Sequence, residues 1–175
     1  QSIYLKSQKV FNPAIGTWSK NWKKNRGQYI KNENIFTAPE YLNLKLESTQ
    51  RKVSFDEQVF QIDLGGIAKG TILNSLKKIL LSHHCHQFLI SLGGEFLFGN
   101  APPNKTAWTL KLEAPNRKAK ETLMLKNTAL SSSGSSYQFY YRDGHILSHL
   151  LNPIDQSSPN NTYIAYVKSQ SSETA

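Results

Sequence analysis

The run Asp63-Leu64-Gly65-Gly66-Ile67-Ala68-Lys69-Gly70 constrains this chain more than any other stretch. Ahead of it, Gln58-Val59-Phe60-Gln61-Ile62 alternates polar and apolar residues, the period of a half-buried strand within a segment spanning 57–63. Behind it, Ile67, Thr71, Leu73, Leu76, Ile79 and Leu80 recur at helical spacing. The expected local structure is therefore strand, Gly-Gly turn, helix. Two adjacent glycines let backbone approach a ligand with no Cβ in the way, and the unpaired N–H groups of a helix's first turn suit a phosphate. Lys69, one turn in, either adds a point charge to that site or is a solvated helix residue. Asp63 sits where it could orient a loop, a sugar hydroxyl or a metal.

The run is neither of two common phosphate loops. A Walker A motif places Ser or Thr after Gly-Lys, whereas Lys69 precedes Gly70, and the glycines lack the GxGxxG spacing of a dinucleotide fingerprint. A tight strand-to-helix turn with glycines needed only for packing is the alternative reading.

At 175 residues the chain is expected to form a single domain with a sizeable core. Its 38% hydrophobic and 19% charged content fits a globular protein, and no apolar run approaches the roughly 20 residues of a membrane span. The net charge of +9, from 21 basic and 12 acidic residues, favours an anionic ligand. Its basic residues are dispersed in two knots, Lys20, Lys23, Lys24 and Arg26, and Lys111, Arg117, Lys118 and Lys120, without a nucleic-acid motif. No nucleic-acid partner is expected. Cys85 stands alone, so no disulfide forms within the chain. The chain starts at Gln1 rather than Met, and a segment upstream is expected to have been removed.

Along the chain, Asn12-Pro13 reads as a helix start, and Trp18 and Trp22 lie one turn apart on one helix face, as core anchors or as an aromatic platform for a ligand. Thr37-Ala38-Pro39-Glu40 has capping-box spacing, predicting a second helix through Leu42 and Leu46. Further strands are expected at Gln87 to Leu92, Glu95 to Phe98, Trp108 to Leu112, Thr122 to Leu125 and Tyr163 to Val167, with Gly99 to Asn104 a loop and Asp143-Gly144 a hairpin turn. Ser131 to Ser136 reads as a linker or as a functional loop. His83, His84, Cys85 and His86 follow the central helix. Adjacent side chains diverge, so they complement the helix C-terminus more readily than they close on one metal ion. His149, between a strand and Asn152-Pro153, is either a turn residue or an imidazole at a site's rim.

Four motifs stand in order: Asp63 to Gly70, Gly93-Gly94-Glu95, Ser132-Ser133-Gly134, and Ser148-His149-Leu150-Leu151-Asn152-Pro153. Together with Phe11-Asn12-Pro13 and Trp18 to Trp22 they resemble the ApbE family of FAD:protein FMN transferases. Its first motif reads Asp-x-Gly-Gly-Ile-Ala-Lys-Gly, its second usually Gly-Gly-Asp, its third Thr-Ser-Gly and its fourth Ser-His-Ile-x-Asp/Asn-Pro. The resemblance implies an α+β fold with a mixed sheet and packed helices. It also implies magnesium-dependent transfer of FMN from FAD to a Thr or Ser of an acceptor flavoprotein, with AMP leaving; the alternative is a non-catalytic FAD-binding remnant or scaffold.

On this resemblance His149 is the catalytic residue. Asp63, Gly65, Gly66, Lys69, Gly93, Gly94, Ser132, Ser133, Gly134, Ser148 and His149 bind the cofactor, and the carbonyl of Ala68 is a metal ligand. The family's further metal ligands lie in an Ala-Asp-x-x-Ala-Thr segment, and Ser172-Glu173-Thr174-Ala175 ends where that segment would start. A portion ahead of Phe11 is expected to be missing as well, and the family's Thr-Gly after Pro153 is replaced by Asp155-Gln156. The resemblance places the protein in the periplasm or otherwise outside the cytoplasm, with a lipid anchor on a segment beyond this chain.

Overall fold

The structure is a computed structural model and describes residues 2–25, 45–54, 61–114, 120–135, 138–155, 157–159 and 163–175. The chain forms two compact units interleaved in sequence, Gln1–Leu64 with Gln138–Asn161, and Gly65–Tyr137 with Thr162–Ala175.

The first unit begins with α1 (Ser2–Lys6), a 3-10 turn (Pro13–Ile15) and α2 (Gly16–Lys24). Asn12 starts the turn as expected. Its side-chain oxygen accepts from the Ala14 amide at 2.9 Å, and Pro13 occupies the first turn, where a missing N–H costs nothing. Trp18 and Trp22 are both buried, along with Tyr4 and Ala14, and so are core anchors rather than an open platform. Lys45–Glu47 is strand β1, paired with β2 (Lys52–Ser54), which corrects the helix expected to run through Leu46. Capping-box spacing is a local signal; the ladder pairing Leu46 with Val53 overrides it. The start of that expected helix lies outside the described residues.

Strands β8 (Phe139–Arg142) and β9 (His145–Ser148) complete this unit as a hairpin. Asp143 and Gly144 turn it with φ of 48° and 80°, the left-handed pair that an Asp-Gly turn predicts. Of the strand expected at 57–63, residues 55–60 lie outside the described set, and Gln61 to Asp63 make no strand ladder with a described residue. Instead the Gly16 amide donates to the Gln61 carbonyl at 3.0 Å and the Asp63 amide to the Pro13 carbonyl at 2.8 Å.

The second unit is built on α3 (Ala68–Ser82) and an open antiparallel sheet ordered β10-β7-β4-β3, from Ile164–Ser169, Thr128–Gly134, Glu95–Phe98 and Leu89–Leu92. One face of the sheet packs Phe88, Leu97 and Ala129 against Leu73, which is fully buried. The other face joins Phe98 and Leu130 to Leu112 and Leu125 of the hairpin β5 (Trp108–Glu113) and β6 (Lys120–Leu125). Only part of the helical stripe is used within this core: Leu73 and Leu80 pack, while Leu76 and Ile79 remain exposed.

The largest correction to the sequence reading is the serine run. Thr128–Gly134 is strand β7, hydrogen-bonded on both edges, to β10 and to β4. A run of serines resembles a linker in composition, but Ser131, Ser132 and Ser133 take ladder partners from β10, and Ser131 takes one from β4 as well.

Candidate active site

In the second unit, Gly65 to Ile67 form a turn and α3 opens at Ala68, with no acidic residue in its first turn. Gly65 and Gly66 are exposed there, and the helix N-terminus carries the partial positive charge that suits an anion. Gly70 faces the chain's end: a Cβ would overlap the Ser172 carbonyl, and Ser172 Oγ donates to the Gly70 carbonyl at 3.0 Å and to Asn74 Oδ1 at 2.6 Å.

Lys69 turns to the second motif. Its Nζ donates to the Gly93 carbonyl at 3.0 Å and pairs with Glu95 Oε1 at 3.2 Å. The pair is lopsided, with the Glu95 side chain 10% exposed and Lys69 35% exposed. Gly93 and Gly94 turn from β3 to β4 at φ of 53° and 90°, which glycine alone adopts cheaply. On the far side, the Ser132 amide and hydroxyl both donate to the Gly94 carbonyl, at 2.9 and 2.7 Å. Lys69 of the first motif and Ser132 of the third thus meet around the Gly93-Gly94 turn of the second, Lys69 on one carbonyl and Ser132 on the next.

Ser131 pairs with Glu95, and Ser133, two residues on along the strand, lies on the same face and is exposed. Gly134 admits β10: a Cβ there would stand 2.5 Å from the Tyr163 carbonyl. Ser135, which the sequence did not single out, is buried and exchanges bonds with Tyr163, its amide to the carbonyl at 3.1 Å and its Oγ accepting from the amide at 3.2 Å.

In the first unit, Asp63 is half-buried beside α2. Ser19 Oγ donates to its Oδ2 at 2.5 Å, and Lys23 Nζ stands 4.0 Å away. Ser148, fully buried, has its carbonyl held by Trp22 Nε1 at 3.1 Å and by Ser158 Oγ at 2.8 Å. His149 amide and Nδ1 both bond the Gln138 carbonyl, at 3.3 and 2.9 Å. A carbonyl only accepts, so Nδ1 carries the proton and Nε2 is the basic nitrogen of the neutral ring. Asn152 Oδ1 caps the Ile154 amide at 3.0 Å. The hydroxyl and then the amide of Ser157 hold the Asp155 carboxyl below the usual aspartate range.

Sequence had pointed to Asp63, Lys69 and His149 but not to Ser19, Glu95 as the lysine's partner, or Gln138. None of the three carries a signal without knowledge of what lies across from it. Among the described residues no group of three or more His, Cys, Asp or Glu could hold a metal ion. The Ala68 carbonyl has no such set around it, and Glu95 is already committed to Lys69. The described side chains therefore do not complete a magnesium site. His83 ends α3 with its amide on the Ile79 and Leu80 carbonyls, and His84 turns away at φ of 56°.

The profile of the ApbE family matches residues 1–175, the whole chain. The chain belongs to the ApbE family. A relative named FAD:protein FMN transferase from Buchnera aphidicola subsp. Baizongia pistaciae is 28% identical over 141 residues, covering 79% of this chain and 41% of that protein. One of the same name from Treponema pallidum is 24% identical over 170 residues, covering 85% and 47%. In fold, this ApbE chain is similar to the ApbE protein of Thermotoga maritima, with a TM-score of 0.83 at 20% identity, covering 99% of this chain and 59% of that one. The apo flavinyl transferase ApbE of Pseudomonas stutzeri matches with a TM-score of 0.76 at 22% identity, covering 98% and 56%. The α+β architecture is thus that of ApbE proteins, and this chain spans less than half the length of the two sequence relatives.

Proposed function

We propose that this ApbE-family chain belongs to an FAD:protein FMN transferase, which joins FMN to a Thr or Ser hydroxyl of an acceptor flavoprotein. The acceptor oxygen forms a bond to the phosphorus of the FMN half of FAD, the bond from that phosphorus to the bridging oxygen breaks, and AMP leaves. The hydroxyl proton goes to a base. The single observation that carries the reading is His149. Its Nδ1 is tied to the Gln138 carbonyl, which orients the ring and leaves Nε2 as the proton acceptor. Within the second unit, the exposed Gly66 ahead of α3 and the exposed Ser133 offer N–H and O–H donors to phosphate oxygens.

Magnesium belongs to the same proposal: it would neutralise charge on the pyrophosphate, with the Ala68 carbonyl as one donor and the others supplied from beyond the described residues. A second reading is FAD binding without turnover. The extracytoplasmic location and membrane tether are proposed from the family resemblance. Among the described residues no helix is long and apolar enough to cross a membrane.

Incubating the full-length protein with FAD, magnesium and an acceptor flavoprotein tests this by intact mass. An acceptor heavier by the mass of FMN less one water, formed with release of AMP, is expected. FAD binding with no adduct under any divalent metal selects the second reading.

A further inference from the structure

We propose that helix α2 is a bracket that positions two motifs of the first unit at once, with Ser19 holding Asp63 and Trp22 holding the peptide that carries His149. The proposal deepens the transferase reading and rests on it for its catalytic consequence. Residues 19 and 22 are three apart, so they lie on neighbouring positions of one helix face. Both are buried, and neither needs to touch a ligand to act.

Hydrogen bonds to Pro13, Gly16 and Ser19 fasten the segment 61–63. The Asp63 amide donates to the Pro13 carbonyl at 2.8 Å, and the Gly16 amide reaches the Gln61 carbonyl at 3.0 Å. Gly16 has no Cβ to collide with that same Gln61 carbonyl, and Ser19 Oγ grips Oδ2 at 2.5 Å. A backbone fastened at Pro13 and Gly16 but lacking the hydroxyl would still deliver Asp63 to this place; the Ser19 hydroxyl bears on how its carboxylate is turned. Lys23, at 4.0 Å and more than half exposed, adds little.

The second grip acts through a rigid plane. The Ser148 carbonyl and the His149 amide belong to one peptide group. Trp22 Nε1 binds its oxygen at 3.1 Å, and its N–H donates to the Gln138 carbonyl at 3.3 Å. A plane pinned at both ends sets the direction in which the His149 side chain leaves the backbone, and Gln138 then sets the ring through Nδ1 at 2.9 Å. Trp22 therefore acts on the peptide group that leads into the proposed base.

The test uses the full-length protein with Ser19→Ala, Ser19→Thr and Trp22→Phe; the last keeps an aromatic ring and removes the donor. FMN-transfer rates at saturating FAD are expected to fall roughly tenfold to a hundredfold for Ser19→Ala and Trp22→Phe, since small misplacements are that costly. Ser19→Thr, which keeps the hydroxyl, should recover most of the rate. Amide hydrogen exchange supplies a readout independent of activity. Ser19→Ala should speed exchange at Asp63 and Trp22→Phe at His149, with the Leu97 amide of the second unit unchanged. Wild-type rates in both variants, or exchange that rises evenly across the chain, would overturn the proposal. If the wild-type protein transfers no FMN, the transferase reading falls, and the exchange pattern still decides whether α2 holds the two motifs.

Discussion

Replacing Lys69 by methionine removes the cation from Glu95 while keeping the length of the side chain. Lys69 Nζ lies 3.2 Å from Glu95 Oε1 and 3.0 Å from the Gly93 carbonyl. Breaking a buried pair costs roughly 3–5 kcal/mol, because the surviving charge is left without a partner. Fully exposed pairs are worth about 0–1 kcal/mol. Here Glu95 is the buried partner, with 10% of its side chain exposed against 35% for Lys69, so water screens one end of the pair only. The expected loss is about 2 kcal/mol, between those limits. For a chain of this size that corresponds to a fall in Tm of roughly 4–8 °C.

Glu95→Gln removes the charge that needs a partner and leaves a neutral amide at the same place. The double variant Lys69→Met with Glu95→Gln should therefore be more stable than Lys69→Met alone, with a coupling of about 1 kcal/mol or more between the two positions. Urea unfolding of the four proteins measures this. Additive losses, or a Lys69→Met variant as stable as wild type, would refute the claim that the ion pair fastens the Gly93-Gly94 turn to the start of α3.

Other perturbations follow from the same geometry. Gly70→Ala would gain about 1 kcal/mol on an open helix, but here the new Cβ meets the Ser172 carbonyl. Overpacking of this kind costs roughly 1–3 kcal/mol, so thermal melting should show a net loss. His149→Ala should lower the transfer rate about 10²- to 10⁴-fold, read by single-turnover kinetics. Ser157→Ala should raise the Asp155 pKa toward the ordinary aspartate range, followed by NMR titration. Because folding lowers that pKa, the small stabilisation it gives is present above the unfolded value and lost as pH falls through the folded one.

Several elements were legible from local pattern. The Asp143-Gly144 turn, the Asn12-Pro13 start, the α3 helix after Gly65-Gly66 and the strands at Leu89, Glu95 and Trp108 each rest on chemistry contained within a few residues. Motif order was legible too, since four short patterns in sequence need no coordinates to be compared with a family, and the profile match covers residues 1–175.

The serine run and Leu46 were misread for one reason: strand identity is conferred by the neighbours on either edge, and those neighbours are remote in sequence. Ser131 is a strand residue because Glu95 and Val167 flank it. The same holds for the site. A lysine after a Gly-Gly turn is equally well a phosphate contact or a surface residue until the fold brings the Gly93 carbonyl and Glu95 to its Nζ. Which residues are candidates for the chemistry was written in short-range pattern. What holds it in place depended on Ser19, Trp22 and Gln138, because a hydrogen bond constrains distance in space and not separation along the chain: Ser19 is 44 residues from Asp63 and Trp22 is 126 from Ser148.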